Sequence, residues 1–513
     1  MHSLSEARLA SFGWLLGAAT LLVMGHGFFL FAEIAVPARS TLGEVAFWLC
    51  VTPLLVAGLM DFRAALLFSI VATPIFHTPT VPSLFTQGAG DLFALIALSS
   101  FLLSHWRQVI RVVSGRQVLL LLIPAAALLS ILFNLVDLDA FHWNQTKYEV
   151  AEFAGLSLAV ALSLLLAWSI KTERDLKTLL LAVFIAAAIS VVQGYVSLIL
   201  ISVCMPDLSG TIMSPGGQIS GGFGNPNYYG SWMLVLLPIV LYQLSNQHLS
   251  VSKSTAYVIL LVIFLFLLLL TVSRSTLLTL ICVLFAWGCI VKGWINKSKV
   301  IVIILVLVVL FPVAWNARFE ACREDPSLIN IFSNNVLTIY LQGTLGNILV
   351  GKTTQELQTQ LDASGHEYPS RTQLLRFSWE AFQSSPIFGI GPGNMASVVR
   401  NRTGIGVRAH NVPATILSEQ GAVGLFTWLV FWVAVLWRVW RVGWGCAGNR
   451  LHHVVYGKYL FLIFLSLSIT SLFADQYRVI WLWLFVGLVF SRYFSADDRA
   501  SVVLVNKGPE LSV

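Results

Sequence analysis

The sequence predicts an all-α polytopic membrane protein with about twelve to fourteen transmembrane helices and one long outer loop that contains short helices. Three observations carry this. The 513 residues are 57% hydrophobic and only 11% charged, with a mean hydropathy of +0.82, whereas a soluble domain carries about a quarter charged residues. Surface this apolar cannot face water, so it belongs in a bilayer. The apolar residues also fall into runs long enough to cross about 30 Å of hydrocarbon. Finally, the basic loops between those runs alternate in a way that fixes one orientation.

The spans fall near 12–31, 43–60, 63–77, 91–104, 117–135, 151–169, 176–203, 227–243, 255–272, 274–292, 299–316, 411–437, 454–474 and 477–493. The third and fourth are short, which leaves twelve or thirteen crossings as alternatives to fourteen. The first run has no small-residue cleavage site and reads as a retained span. Four loops carry the basic residues: Arg107, Arg111 and Arg116; Lys171, Arg174 and Lys177; Lys292, Lys297 and Lys299; Arg438, Arg441 and Arg450. All four fall on one side together with both termini, and the positive-inside rule makes that side cytoplasmic. The net charge of +7 is therefore read as topology, with no nucleic-acid partner implied. Residues 317–410 then lie outside, which in a bacterium is the periplasmic face.

The chain divides into five parts on this reading. Residues 1–204 are N-terminal membrane helices, and 205–316 are membrane helices with a Gly/Pro-rich outer loop and a Ser-Arg motif. Residues 317–410 form the large outer loop, 411–493 the C-terminal helices and 494–513 a cytoplasmic tail. The six cysteines, Cys50, Cys204, Cys282, Cys289, Cys322 and Cys446, show no metal-ligand spacing. Only Cys204 and Cys322 fall in or near outer segments, where a disulfide can form.

Polar chemistry concentrates between Ser370 and Gly424. Ser370 and Gln373 match a capping box that opens a helix. Leu374, Leu375, Ser378 or Trp379, and Phe382 recur at helical spacing, and Arg371 shares the apolar face with Leu375. An arginine on a packed face either pairs with a buried carboxylate or meets an anionic ligand. The run Phe388-Gly389-Ile390-Gly391-Pro392-Gly393-Asn394 is either a tight turn or a backbone cradle for an anion. From Arg371 to His410, five arginines (371, 376, 400, 402 and 408) against the single acid Glu380 suit lipid headgroups or a diphosphate. His410 directly precedes a span; histidine suits proton transfer near neutrality, though a lone one is often structural. Glu419 sits nine residues on, about 13 Å away at helical rise, so the two are not paired directly. A buried acid in a span is usually paired or functional. Upstream, Gly224-Asn225-Pro226-Asn227 reads as a turn feeding a helix start. Arg274, between Ser273 and Ser275, either faces a wet cavity or snorkels to the interface.

Taken in order, these motifs resemble the O-antigen ligase and polymerase family of bacterial envelope glycan enzymes. They are Gly224-Asn225-Pro226-Asn227, Ser273-Arg274, Arg371, Pro386-x-x-Gly389-x-Gly391-x-Gly393-Asn394, His410-Asn411 and Glu419-x-Gly421-x-x-Gly424. They cover roughly residues 215–440, while the first 200 residues match only in being membrane spans. The resemblance implies transfer of a glycan from an undecaprenyl-diphosphate donor at the periplasmic face of the inner membrane, without metal or other cofactor. It implies that Arg274 and Arg371 bind the diphosphate and that His410 activates or orients the acceptor hydroxyl. Arg376, Arg402, Arg408, Asn411, Asn225, Asn227, Gly391, Gly393, Asn394 and Glu419 would complete the substrate site. The acceptor would be lipid A–core, a second lipid-linked glycan or a protein hydroxyl. A transporter of small anions or lipid-linked sugars is the alternative of another class, with polar groups expected near the midplane. A purely structural subunit leaves the ordered motifs without a reason.

Overall fold

The computed structural model describes residues 13–25, 40–75, 89–105, 117–136, 143–202, 213–214, 218–221, 223, 225–245, 251–271, 273–290, 369–404, 406–444, 451–491 and 493–494. The predicted span at 299–316, the whole of the outer loop before residue 369, Gly224, Cys204, Cys322 and the tail after residue 494 lie outside the described residues. The described chain is almost wholly helical, and the protein is an all-α polytopic membrane protein. The one exception is a pair of antiparallel two-residue strands, β1 (Met213–Ser214) and β2 (Gln218–Ile219).

The first half comprises α1 (Gly13–Gly25), α2 (Ser40–Met60), α3 (Phe62–Val71), α4 (Ala89–His105), α5 (Val118–Val136), α6 (Trp143–Ser169) and α7 (Glu173–Ser202). The predicted 63–77 span is a ten-residue helix, α3, started by Asp61, whose carboxylate accepts the Arg63 N–H at 2.9 Å. After β1 and β2 come α8 (Pro226–Ser245), α9 (Val251–Leu270) and α10 (Arg274–Ile290). Helix α8 begins at the predicted Asn-Pro junction: Asn225 Oδ1 accepts the Asn227 N–H at 2.8 Å, and proline takes the first helical position, where no N–H is needed. The outer segment holds α11 (Arg371–Ser384) and α12 (Met395–Thr403), followed by α13 (Val412–Trp444), α14 (Leu451–Ser471) and α15 (Ile480–Val489). Three helical stretches, Glu149–Ser169, Glu173–Ser197 and Val412–Trp444, are long and apolar enough to cross a membrane; the other apolar helices are shorter.

Helix α13 organises the packing. It lies against α5, α11 and α14, and α14 lies in turn against α8 and α10. At the crossing of α13 and α14, Gly443 meets Gly457; a Cβ added to Gly457 would fall 2.5 Å from the Gly443 nitrogen. Small residues let membrane helices approach backbone to backbone in this way. Helix α6 bridges α4, α5 and α15. All ten residues of α15 are buried, as expected of a helix that is apolar all round. Trp232, Trp287, Trp481 and Trp483 are fully buried, whereas Trp14, Leu103, Phe285, Phe426 and Trp437 are exposed and suit a lipid-facing surface.

Candidate active site

The site is built around a break in α13. At Gly421 the backbone leaves the helix (φ 66°, ψ −162°), so the carbonyls before it and the amides after it lack their helical partners. The Gly-rich turn supplies them. Ile390 N–H donates to Ser418 O at 3.0 Å and Gly391 N–H to Glu419 O at 2.9 Å. In return Ala422 N–H donates to Pro386 O at 2.9 Å and Val423 N–H to Ile387 O at 3.2 Å. The two main chains lie too close for side chains between them. A Cβ on Gly389 (φ 73°) would sit 2.5 Å from the Glu419 carbonyl oxygen, and one on Gly421 would sit 2.6 Å from the Phe388 nitrogen. The motif Gly389-x-Gly391 and the motif Glu419-x-Gly421 are thus two halves of one docking joint.

The N-terminal half clamps the joint from the other side. In α5, Ser130 Oγ donates to Glu419 O at 2.8 Å, Asn134 Nδ2 donates to Gly389 O at 3.3 Å, and Phe133 stacks on Phe388 with ring centroids 3.6 Å apart. In α6, Glu149 accepts from Asn394 Nδ2, which also donates to Ile390 O at 2.7 Å. Glu419 itself is buried and held by the amides of Gly393 and Met395 (3.4 Å) and by the Tyr477 hydroxyl at 3.3 Å.

The segment before α13 presents the histidine. Asn411 caps the helix, its Oδ1 accepting the Ala414 N–H at 2.8 Å, while its Nδ2 donates to Leu472 O at 2.8 Å. His410 is half-buried and is the one non-glycine with positive φ (53°) among the described residues. Burial, together with the positive charges of Arg371 and Arg408, pushes its imidazole down to about 4, so the ring is neutral at physiological pH. Arg408, two residues earlier, is ion-paired with Glu152 of α6 and with Asp475, its Nη1 3.6 Å from Asp475 Oδ2. Arg478 reaches the same Glu152 at 2.5 Å. Burial works against the charge of Arg408, but the two carboxylates outweigh it and lift the guanidinium well above its usual range.

The sequence-predicted residues fall into three groups. His410 lies within the electrostatic reach of Arg371, and both face solvent at least in part. Arg274 is exposed at the first position of α10 and makes no ion pair or hydrogen bond among the described residues. Its neighbour Ser273 donates to Asn227 Oδ1 at 2.7 Å, joining the Asn-Pro and Ser-Arg motifs. A second group is occupied structurally: Arg408 and Asn411 as above, Gly391 and Gly393 against Glu149 and Glu419, and Asn394 on Glu149. Arg376 and Arg402 both pair with Glu380, and Arg402 also lies over the Phe377 ring at 4.8 Å. The capping box at Ser370 and Gln373 forms as expected. The packed face of α11 differs from expectation. It is made by Leu374, Ser378 and Ala381, leaving Arg371, Leu375 and Trp379 exposed, because α11 meets the rest of the chain along the Leu374 side.

Sequence reasoning passed over Ser130, Asn134, Glu149, Glu152, Tyr228, Asp475 and Arg478. One signal was present: Glu149 and Glu152 are three residues apart in an apolar helix, hence on one face, and acids there need partners. These contacts also bring the motifs to one end of the bundle. The Tyr228 hydroxyl donates to Asp475 O at 2.7 Å, and two residues on, a Cβ at Gly230 would run into Thr276, two residues from Arg274.

Residues 259–429 match the family model described as O-Antigen ligase. No curated protein matches the chain. The matched segment contains Arg274, Arg371, the Gly-rich turn, His410 and Glu419. Motif order and this match agree that the chain resembles the O-antigen ligase family, a family of membrane glycan ligases and polymerases.

Proposed function

We propose that this protein transfers a glycan from an undecaprenyl-diphosphate carrier to a sugar hydroxyl at the periplasmic face of the bacterial inner membrane, as an O-antigen ligase or polymerase. The observation that carries the reading is a half-buried histidine held next to the capped start of α13, within the field of the exposed Arg371. The acceptor oxygen attacks the anomeric carbon and forms the new glycosidic bond. The bond from that carbon to the diphosphate oxygen breaks, and the electron pair leaves with the diphosphate. The hydroxyl proton passes to His410, whose neutral ring can accept it. Arg274 and Arg371 meet the charge that develops on the leaving diphosphate. No metal enters the proposed step. A single displacement inverts the anomeric carbon. Bound diphosphate also brings negative charge near Arg371, which offsets the field that keeps His410 a weak base in the free protein.

A transporter would need open backbone or carboxylate ligands at a broken helix. At the break by Gly421 the Ser418 and Glu419 carbonyls are already met by the turn and by Ser130, and the Glu419 carboxylate by the Met395 amide and the Tyr477 hydroxyl. Protein O-glycosylation uses the same donor chemistry and differs in acceptor alone.

The test is a glycan readout in a host lacking this protein, complemented with wild type, Arg274→Ala, Arg371→Ala or His410→Ala. Lipopolysaccharide and carrier-linked glycan are extracted and run side by side. Glycan moved to lipid A–core by wild type and left on the carrier by the variants identifies a ligase. Collapse of carrier-linked chains to single repeats in the variants identifies a polymerase. Full transfer by all three variants at normal abundance rejects the site.

A further inference from the structure

The buried charges behind His410 have no part in the proposed bond-making step. Arg408 is gripped from two directions: by Glu152 from the N-terminal half and by Asp475 from the connection between α14 and α15. Arg478 braces Glu152 at 2.5 Å, and the Tyr228 hydroxyl holds the Asp475 carbonyl at 2.7 Å. At the other end of the same short segment, Asn411 is tied to Leu472 O at 2.8 Å. Between these two pins lie only the buried Ala409 and the half-buried His410, the latter in a left-handed conformation that is strained for a non-glycine residue. A strained residue persists where its surroundings over-determine it. We propose that Glu152 and Asp475 are positioning residues, which fix Arg408 and thereby set the place and the electrostatic surroundings of the His410 ring. The proposal rests on the reading of His410 as the group that meets the acceptor hydroxyl.

The energetics separate this role from simple stabilisation. Burial pushes the Asp475 carboxyl up to about 6 despite the pull of Arg408 and Arg478, so its charge costs the fold more than its partners return. Neither of its oxygens has a hydrogen bond among the described residues; its hold on Arg408 is the 3.6 Å ion pair. The charged groups around the imidazole are Arg371 from α11 and Arg408 on its own segment. Behind Arg408 stand Glu152 of α6, Asp475 and Arg478 of the α14–α15 connection, and Glu419 of α13. Removing one grip frees Arg408 to move, and the ring then loses the place that the two pins give it.

The experiment uses the full chain in membranes and reads His410 directly. Diethyl pyrocarbonate modifies an imidazole only in its neutral form, and mass spectrometry of the peptide carrying His410 gives the labelling rate of that residue against pH. Wild type is expected to show a midpoint near pH 4. At pH 7, where Asp475 is ionised and the wild-type ring is neutral, Asp475→Asn and Glu152→Gln are expected to raise the labelling rate of His410 several-fold, because a ring released from its place is more open to the reagent. They are also expected to lower glycan transfer about a hundredfold, the scale of a misplacement near 1 Å. Transfer is counted per folded molecule, because taking one partner from a buried ion pair lowers the unfolding midpoint, and Arg408→Lys, which keeps the charge but not the fork, should show the same faster labelling and low transfer. Should Asp475→Asn fail to accumulate, Tyr228→Phe removes only the hydroxyl behind it and is expected to shift both readouts the same way by less. Wild-type labelling and transfer in both carboxylate variants, with transfer abolished in His410→Ala, overturns the proposal alone. Undiminished transfer in His410→Ala overturns instead the reading beneath it, whatever the labelling shows.

Discussion

Replacing Gly389 by alanine tests the joint between the outer turn and α13. The backbone there is left-handed, φ 73°, which costs an alanine about 1–2 kcal/mol. The larger cost is steric. The new methyl carbon would sit 2.5 Å from the Glu419 carbonyl oxygen, and backbone on both sides leaves nothing flexible to yield. Relief requires the turn to lift from α13, breaking the bonds from Ile390 to Ser418 and from Gly391 to Glu419. Each buried group so orphaned costs about 1–3 kcal/mol. With the strain, losing two gives roughly 3–8 kcal/mol, comparable to the whole stability of many domains at about 5–15 kcal/mol. The assay is thermal unfolding of the purified protein in detergent, with Gly17→Ala as the control. Gly17 has no atom within 4 Å of an added Cβ and lies in a helix, where alanine is favoured by about 1 kcal/mol. Gly389→Ala should unfold far below wild type and Gly17→Ala at or above it. A Gly389→Ala protein within about 1 kcal/mol of wild type would refute the close approach described for this joint.

Three further outcomes are expected. The acid limb of transfer, measured as kcat/KM in membrane vesicles, should lie near pH 4, because protonation of His410 is what removes activity and its folded value is depressed. At pH 5.5 roughly 3% of the rings should be protonated against about 90% for an ordinary histidine, so a limb at pH 6.5 contradicts the assignment. Glu380→Gln should leave thermal stability nearly unchanged, since the carboxylate lowered by Arg402 and Arg376 lies at the surface and its pairs with these exposed arginines are solvent-screened. Gly457→Val should pry α14 from α13 and lower the unfolding midpoint, with transfer lost in proportion to protein lost rather than per molecule.

The helical architecture was legible because apolar run length and charge placement are local signals. The capping box at Ser370 and the Asn-Pro entry to α8 were legible for the same reason: each is completed within a few residues. The Gly-rich turn was visible as a motif but not as a joint, because glycines that admit an anion and glycines that admit another backbone look alike in sequence. Arg408 illustrates the limit most clearly. Among five arginines it looked like its neighbours, and only its burial and its tertiary contacts with Glu152 and Asp475 mark it out. The contribution of α5 and α6 was missed because Ser130, Asn134, Glu149 and Glu152 acquire their partners from the far end of the chain.

Those long separations bear on how the protein is made. Ser130 waits for a partner 289 residues later, Asn134 for one 255 residues later, and Asn394 closes on Glu149 across 245. Until α13 leaves the translocation machinery, the first-made helices carry hydroxyl, amide and carboxyl groups into hydrocarbon with nothing of the mature site to receive them. At about 5–20 residues per second, that interval is on the order of tens of seconds. The nascent N-terminal half is then a natural client for insertases and for membrane proteases that sense unmet polar groups. A nonsense mutation anywhere before the Gly-rich turn should therefore yield rapid degradation rather than a stable half-protein.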